Sequence, residues 1–65
     1  MKIIVNGDAR EVTAPTLASA LTELGYQIGV FATAVNGEFV AMSDRTEWAL
    51  ADGDRIEIVA PMQGG

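Results

Sequence analysis

Phe31-Ala32-Thr33-Ala34-Val35-Asn36-Gly37-Glu38-Phe39-Val40 decides how this 65-residue chain is read. Asn-Gly is the favoured pair for a two-residue type I′ turn, because both central residues must take positive φ and the turn's twist matches that of its flanking strands. Such a turn leaves one register, in which Val35 faces Glu38, Ala34 faces Phe39 and Thr33 faces Val40. Alternation then puts Ala34 and Phe39 on one face of a sheet, with Thr33, Val35 and Val40 on the other.

Downstream of this hairpin, Ser43 to Ala51 is mixed in character and reads as a short turn or 3₁₀ piece, with Trp48 and Leu50 closing the core. Asp52-Gly53-Asp54 makes a tight turn into a last strand, Arg55-Ile56-Glu57-Ile58-Val59. There Ile56 and Ile58 point inward while Arg55, Glu57 and Val59 point outward. Pro61 has no N–H to give a ladder, so pairing ends near it. Pro61, Met62, Gln63, Gly64 and Gly65 then form a flexible tail whose five extended residues reach roughly 17 Å.

Upstream, the β-branched run Ile3-Ile4-Val5 is a first strand. Asn6-Gly7-Asp8 is a turn signal, and Arg10-Glu11-Val12-Thr13 returns as the second strand, with Val12 inward. Thr13-Ala14-Pro15 breaks the extended run, and Thr16 is a good helix N-cap. Leu17, Leu21 and Leu24 fall on one helical face, widened by Ala18 and Ala20. Gly25 stands where a C′ glycine belongs, which gives a helix of about two and a half turns. Tyr26 to Val30, containing Gly29, reads as a loop back toward the sheet.

Composition narrows the function classes. Hydrophobic residues make up 49% of the chain and cysteine is absent, so the fold rests on packing alone. A domain this small is marginal unless its apolar positions are well used. Four basic residues against nine acidic give a net charge of −5, which supplies no basic footprint for nucleic acid and favours encounter with basic protein surfaces. No stretch is apolar enough to span a membrane and none reads as a secretory signal, so a cytoplasmic protein is expected. Histidine is also absent. The hydroxyls of Ser19, Tyr26 and Ser43 therefore have no histidine base, the carboxylates are scattered singly, and no residue is expected to catalyse chemistry or hold a metal in cis.

The order strand, strand, helix, strand, short strand, strand is the β-grasp arrangement, an α+β fold. It has a mixed sheet of about four or five strands and one main helix packed on one face. Residues 1–60 form this domain and 61–65 the tail. The uncovered face of the sheet is expected to present Ile4, Phe39 and Val59 as a partner-binding patch, since exposed apolar clusters commonly mark interfaces.

Three segments together, Ala34-Val35-Asn36-Gly37-Glu38, Leu50-Ala51-Asp52-Gly53-Asp54-Arg55-Ile56-Glu57-Ile58 and the final Gly64-Gly65, resemble the ThiS family. These are ubiquitin-like sulfur carriers of thiamin biosynthesis, related to the MoaD small subunit of molybdopterin synthase. The resemblance runs the length of the chain. It departs after Val40, where many ThiS-like sequences place Pro-Arg and this chain has Ala41-Met42. The resemblance implies that an E1-like adenylyltransferase (ThiF-like) activates the Gly65 carboxylate with ATP and magnesium. A persulfide donor such as a cysteine desulfurase would then convert it to a thiocarboxylate, and thiazole synthase (ThiG-like) would take the sulfur. Gly64, Gln63, Met62 and Pro61 would enter the partner's active site, and no cofactor would be bound by the chain itself. A free carboxylate is a poor electrophile, so it needs a leaving group before sulfur can replace oxygen, and this chain has nothing to supply one.

Three alternatives stay open on the sequence. A ubiquitin-like modifier would share the adenylation and end in an isopeptide bond to lysine. A MoaD-like carrier would give its sulfur to a pterin. A non-catalytic β-grasp interaction module would lose nothing with its Gly-Gly. Deleting Gly65, or adding residues after it, is expected to leave the fold intact and abolish thiocarboxylate formation by an E1-like partner. A folded, extended variant that still accepts sulfur would contradict that reading.

Overall fold

The computed structural model describes residues 1–26 and 31–60. The predicted loop residues at 27–30, Gly29 among them, and the tail Pro61, Met62, Gln63, Gly64 and Gly65 lie outside the described residues. The described elements are β1 (Lys2–Val5), β2 (Asp8–Glu11), α1 (Leu17–Glu23), β3 (Ala32–Val35), β4 (Glu38–Val40), a 3₁₀ helix (Met42–Glu47) and β5 (Arg55–Val59). They form a five-stranded mixed sheet in the order β2-β1-β5-β3-β4, with α1 covering one face, as the alternation and the leucine stripe require.

Both hairpins turn on Asn-Gly. Asn6 and Gly7 have φ of 49° and 89°, and Asn36 and Gly37 have 52° and 85°, the paired positive angles of a type I′ turn. The second hairpin has the register read from its sequence, Thr33 opposite Val40, Ala34 opposite Phe39 and Val35 opposite Glu38. The first hairpin corrects the sequence reading. Its second strand begins at Asp8, not Arg10, because the two-residue turn sets Asp8 directly opposite Val5, and the strand ends at Glu11. Val12 is buried as expected, and its N–H still reaches the Met1 carbonyl at 2.9 Å.

The helix starts at a complete capping box. Thr16 Oγ1 accepts from the Ser19 N–H at 3.2 Å, and Ser19 Oγ accepts from the Thr16 N–H at 3.1 Å, satisfying donors that a helix N-terminus otherwise leaves orphaned. At the other end Gly25 has φ 93°, Tyr26 N–H bonds the Leu21 carbonyl and Gly25 N–H the Thr22 carbonyl, a Schellman closure. That closure makes Leu24 the C-cap, so the helix has seven residues, about two turns rather than two and a half. Glu23 extends the anchoring outward: its carboxylate accepts from the N–H groups of Thr13 and Ala14, each at 3.0 Å. It thereby ties the segment before the helix to the helix's last turn.

Ile3 and Val5 of β1, Thr33 and Val35 of β3, Val40 and Ile56 all point toward the helix face and are buried with Val12, Leu17 and Leu21. Of the segment read as a plug, Trp48 and Leu50 are half-buried against this core. Its fully buried member is Arg45, only 5% exposed. The 3₁₀ helix turns the guanidinium over the Phe31 ring, 4.6 Å from its centroid. Arg45 Nε donates to Thr33 Oγ1 at 3.0 Å and Nη2 to the Phe31 carbonyl at 2.6 Å. Thr33 Oγ1 in turn donates to the Val40 carbonyl at 2.8 Å, which accounts for a buried threonine between apolar neighbours.

β5 lies between the hairpins, parallel to β1 and antiparallel to β3. Two turn asparagines complete its pairing where the neighbouring strands have already turned away. Asn6 accepts from the Ile58 N–H through Oδ1 at 2.8 Å and donates from Nδ2 to the Ile58 carbonyl at 3.2 Å. Asn36 accepts from the Arg55 N–H at 3.0 Å and donates to Asp54 Oδ1 at 3.0 Å. Each side chain mimics a strand backbone, so asparagine serves here both for positive φ and for its amide. Asn6→Gly keeps the turn angle and removes both bonds to Ile58. It is expected to cost about 1 kcal/mol, lowering the thermal midpoint by roughly 4–8 °C, and to raise amide exchange at Ile58. An unchanged midpoint and unchanged Ile58 protection would show that the amide contributes nothing.

Candidate functional site

The open face of the sheet is built by the residues that alternate away from α1. On β5 these are Arg55, Glu57 and Val59; on β3, Ala32 and Ala34; on β4, Phe39; on β1, Lys2 and Ile4. Pairing places Val59 opposite Ala32 and Glu57 opposite Ala34 on one side of β3, with Phe39 opposite Ala34 on the other. Directly opposed residues on one face have Cβ atoms about 4.5–5.5 Å apart. Phe39, Ala34, Ala32 and Val59 therefore form a continuous apolar patch. Its two large members are well exposed, Phe39 at 67% and Val59 at 65%.

Ile4 shares this face but not this patch. It is half-buried and pairs with Arg55 across the parallel ladder, four residues before Val59 and so roughly 13 Å along the strand. Arg55 and Glu57 stand between it and Phe39. Alternation along each strand gives the face of a residue, while its neighbours on that face depend on strand order. The insertion of β5 between β1 and β3 is what separates Ile4 from the other two.

The acidic turn before β5 is structural. Gly53 has φ 91°, and its N–H donates to the Lys2 carbonyl at 2.7 Å. Asp52 Oδ1 accepts from the Lys2 N–H at 2.7 Å, and Asp54 Oδ2 from the Ala51 N–H at 2.8 Å. Together with the Asn36 contact, these bonds seat the first residue of β5 against both β1 and β3. The Asp-Gly-Asp triplet thus fixes the strand that carries Val59. Among the described residues no three potential metal-ligating side chains converge, and no helix is long and apolar enough to cross a membrane.

On the helix side of the sheet, Arg45 is a buried residue that the sequence reading missed. A lone arginine between Asp44 and Thr46 carries no local signal of burial, because its partners, Phe31 and Thr33, lie on another element. It borders a groove of about 560 Å³ between α1 and the 3₁₀ helix, whose walls include Leu21, Tyr26, Phe31 and Met42.

Comparison with known proteins bears on the whole of this geometry. A sulfur carrier protein ThiS from Thermus thermophilus is 36% identical over 61 residues, covering 94% of this chain and 95% of that protein. A thiazole synthase from Paramagnetospirillum magneticum is 39% identical over 66 residues; the match takes in all of this chain, which spans only 20% of that protein's length. The crystal structure of a thiamine biosynthesis protein (ThiS) from Geobacter metallireducens superimposes with a TM-score of 0.83 at 26% identity, each chain covered completely. The ThiS family model matches residues 3–65, from the first strand through the final glycine. A buried helix face, a last strand at the centre of the sheet and a family match that continues through Gly65 lead to one assignment: the chain belongs to the ThiS family.

Proposed function

We propose that this protein is a sulfur carrier for thiazole formation in thiamin biosynthesis, with the Gly65 carboxylate as the group that carries the sulfur. The observation that carries the reading is that the family match includes the tail, residues 61–65, and not the folded body alone. An E1-like adenylyltransferase transfers AMP from ATP to the carboxylate and releases pyrophosphate. The acyl adenylate so formed has the leaving group that a bare carboxylate lacks. The terminal sulfur of a persulfide donor attacks the acyl carbon and expels AMP, giving an acyl disulfide. A second thiol of the sulfur-transfer partners then takes the donor sulfur into a disulfide, breaking the S–S bond and leaving the thiocarboxylate on Gly65. Thiazole synthase is the acceptor of that sulfur, a role supported by the relative of that name whose sequence includes a stretch similar to this entire chain.

The chain's own part is to dock and to present. Phe39 and Val59 with Ala32 and Ala34 supply an apolar surface separate from the core, and Val59 is also the last residue of β5. A partner seated on this patch holds the root of the tail at a fixed place. Pro61, Met62, Gln63 and Gly64 then span the distance to the partner's reacting groups, and the glycines pass where a side chain would collide. Ile4, across Arg55, contributes at the margin of the docking surface. The solvent-exposed position of Phe39 separates binding from folding. Phe39→Asp is expected to weaken association with the adenylating partner by at least ~1–2 kcal/mol while its thermal midpoint hardly moves. Unfolding of the variant, or undiminished association, would remove the patch from the account.

The tail tests the presentation step. Gly64→Val places a Cβ in the segment that enters the partner and restricts the backbone angles open to it. Displacing a reacting carboxylate by an ångström costs on the order of 100-fold in rate. The variant is expected to fold normally and bind the adenylating partner through the sheet face, yet to support ATP–pyrophosphate exchange far more slowly. Exchange at the wild-type rate would leave flexibility as the glycine's only role.

A further inference from the structure

Asn36 and Gly37 together carry the parts of a backbone reaction that the fold holds in check. A glycine nitrogen can attack the side-chain amide carbon of a preceding asparagine, because no side chain hinders the attacking residue. Both residues are exposed. Apart from its chain neighbours, no atom lies within 4 Å of where a Cβ on Gly37 would stand. A polar cleft of about 310 Å³, lined by Asn36, Gly37, Arg55 and Glu57, leaves the pair open to solvent.

The restraint is the amide's own bonding. Asn36 Oδ1 accepts from the Arg55 N–H at 3.0 Å, and Nδ2 donates to Asp54 Oδ1 at 3.0 Å. The Asn36 N–H donates to the Arg55 carbonyl at 2.7 Å. With both of its polar atoms engaged, the amide is held on β5 and kept from turning onto the Gly37 nitrogen. Arg55 is the first residue of that strand, and the ends of elements open locally at lower cost than their middles.

We infer that Asn36 is a site of spontaneous self-modification, reached when the start of β5 opens, and that its product cannot reseat the strand. The Gly37 nitrogen bonds to Asn36 Cγ, the Cγ–Nδ2 bond breaks, and Nδ2 leaves as ammonia with the Gly37 amide proton. Water then opens the cyclic imide. Cleavage at Cγ leaves aspartate, and cleavage at the Asn36 main-chain carbonyl leaves isoaspartate. The aspartate sets a second carboxylate against Asp54, where like charges at hydrogen-bond distance repel. The isoaspartate adds a carbon to the main chain of a turn whose length sets the register of β3 against β4. At Asn6 the same exchange would set a carboxylate against the neutral carbonyl of Ile58. Conversion at Asn36 therefore disturbs the start of β5 and the edge strand that carries Phe39.

The test is incubation of the purified full chain in mildly alkaline buffer, folded and in denaturant, followed by peptide mass mapping. The peptide containing Asn36 is expected to gain the mass of NH replaced by O in both samples, several-fold more slowly in the folded one. Part of the product should be a substrate for isoaspartate methyltransferase. A folded chain whose Asn36 stays intact through several half-lives of the denatured reaction, or converts as fast as in denaturant, would overturn the inference. Asn36→Asp made directly tests the product. It is expected to lower the thermal midpoint by several degrees and to speed amide exchange at Arg55. Adding Asp54→Asn to that variant exchanges donor and acceptor, and should recover most of the loss. An Asn36→Asp protein as stable as the parent, or a double variant without recovery, would overturn the claim that the product cannot reseat the strand.

Discussion

The last strand runs through the middle of the sheet, and the rest of the structure depends on that placement. β5 is parallel to β1 and antiparallel to β3, so it is hydrogen-bonded on both sides, where an edge strand would fray and invite foreign pairing. The Asp52-Gly53-Asp54 turn fixes its beginning against Lys2, and Asn6 extends its pairing as far as Ile58 after β1 has turned away. Opening β5 would break its ladders to both hairpins at once.

This placement also divides the surface. Ile56 fills the core on one side of β5, while Val59 joins Phe39 and two alanines of β3 on the other. Because Val59 belongs both to the patch and to the end of the strand, docking through the patch would fix where the tail begins. The seven-residue helix is held by its capping box at one end and by Gly25 at the other, and Glu23 binds it to the chain before it. A small body with no cysteine cross-link thus combines hydrogen-bonded caps and turns with its apolar core.

Much of this was legible in local sequence, for a physical reason that also marks the limit. Asn36-Gly37 admits one turn type, so the register of β3 against β4 follows from two residues. Thr16 and Gly25 bound the helix because caps are local hydrogen-bond patterns, although the Schellman closure trimmed its last half-turn. The sequence alone starts β2 two residues late, because Asp8 has the character of a turn residue when it is the first rung of the strand. Alternation gives the face of Ile4 but not its neighbours, since it says nothing about which strand lies alongside. Arg45 was beyond reach altogether: the ring, hydroxyl and carbonyl that hold it come from β3 and the residue before it. The tail was legible only as chemistry, two glycines without side chains at the end of an extended run, and as family resemblance.

Whether Gly65 carries sulfur is tested most directly by the intact mass of the protein recovered from cells starved of thiamin. A sulfur carrier should show a population heavier by the replacement of one oxygen with sulfur. The increment should be localised to the C-terminal peptide and lost when Gly65 is deleted. Only the unmodified mass, or a mass corresponding to conjugates through lysine of other proteins, would contradict it.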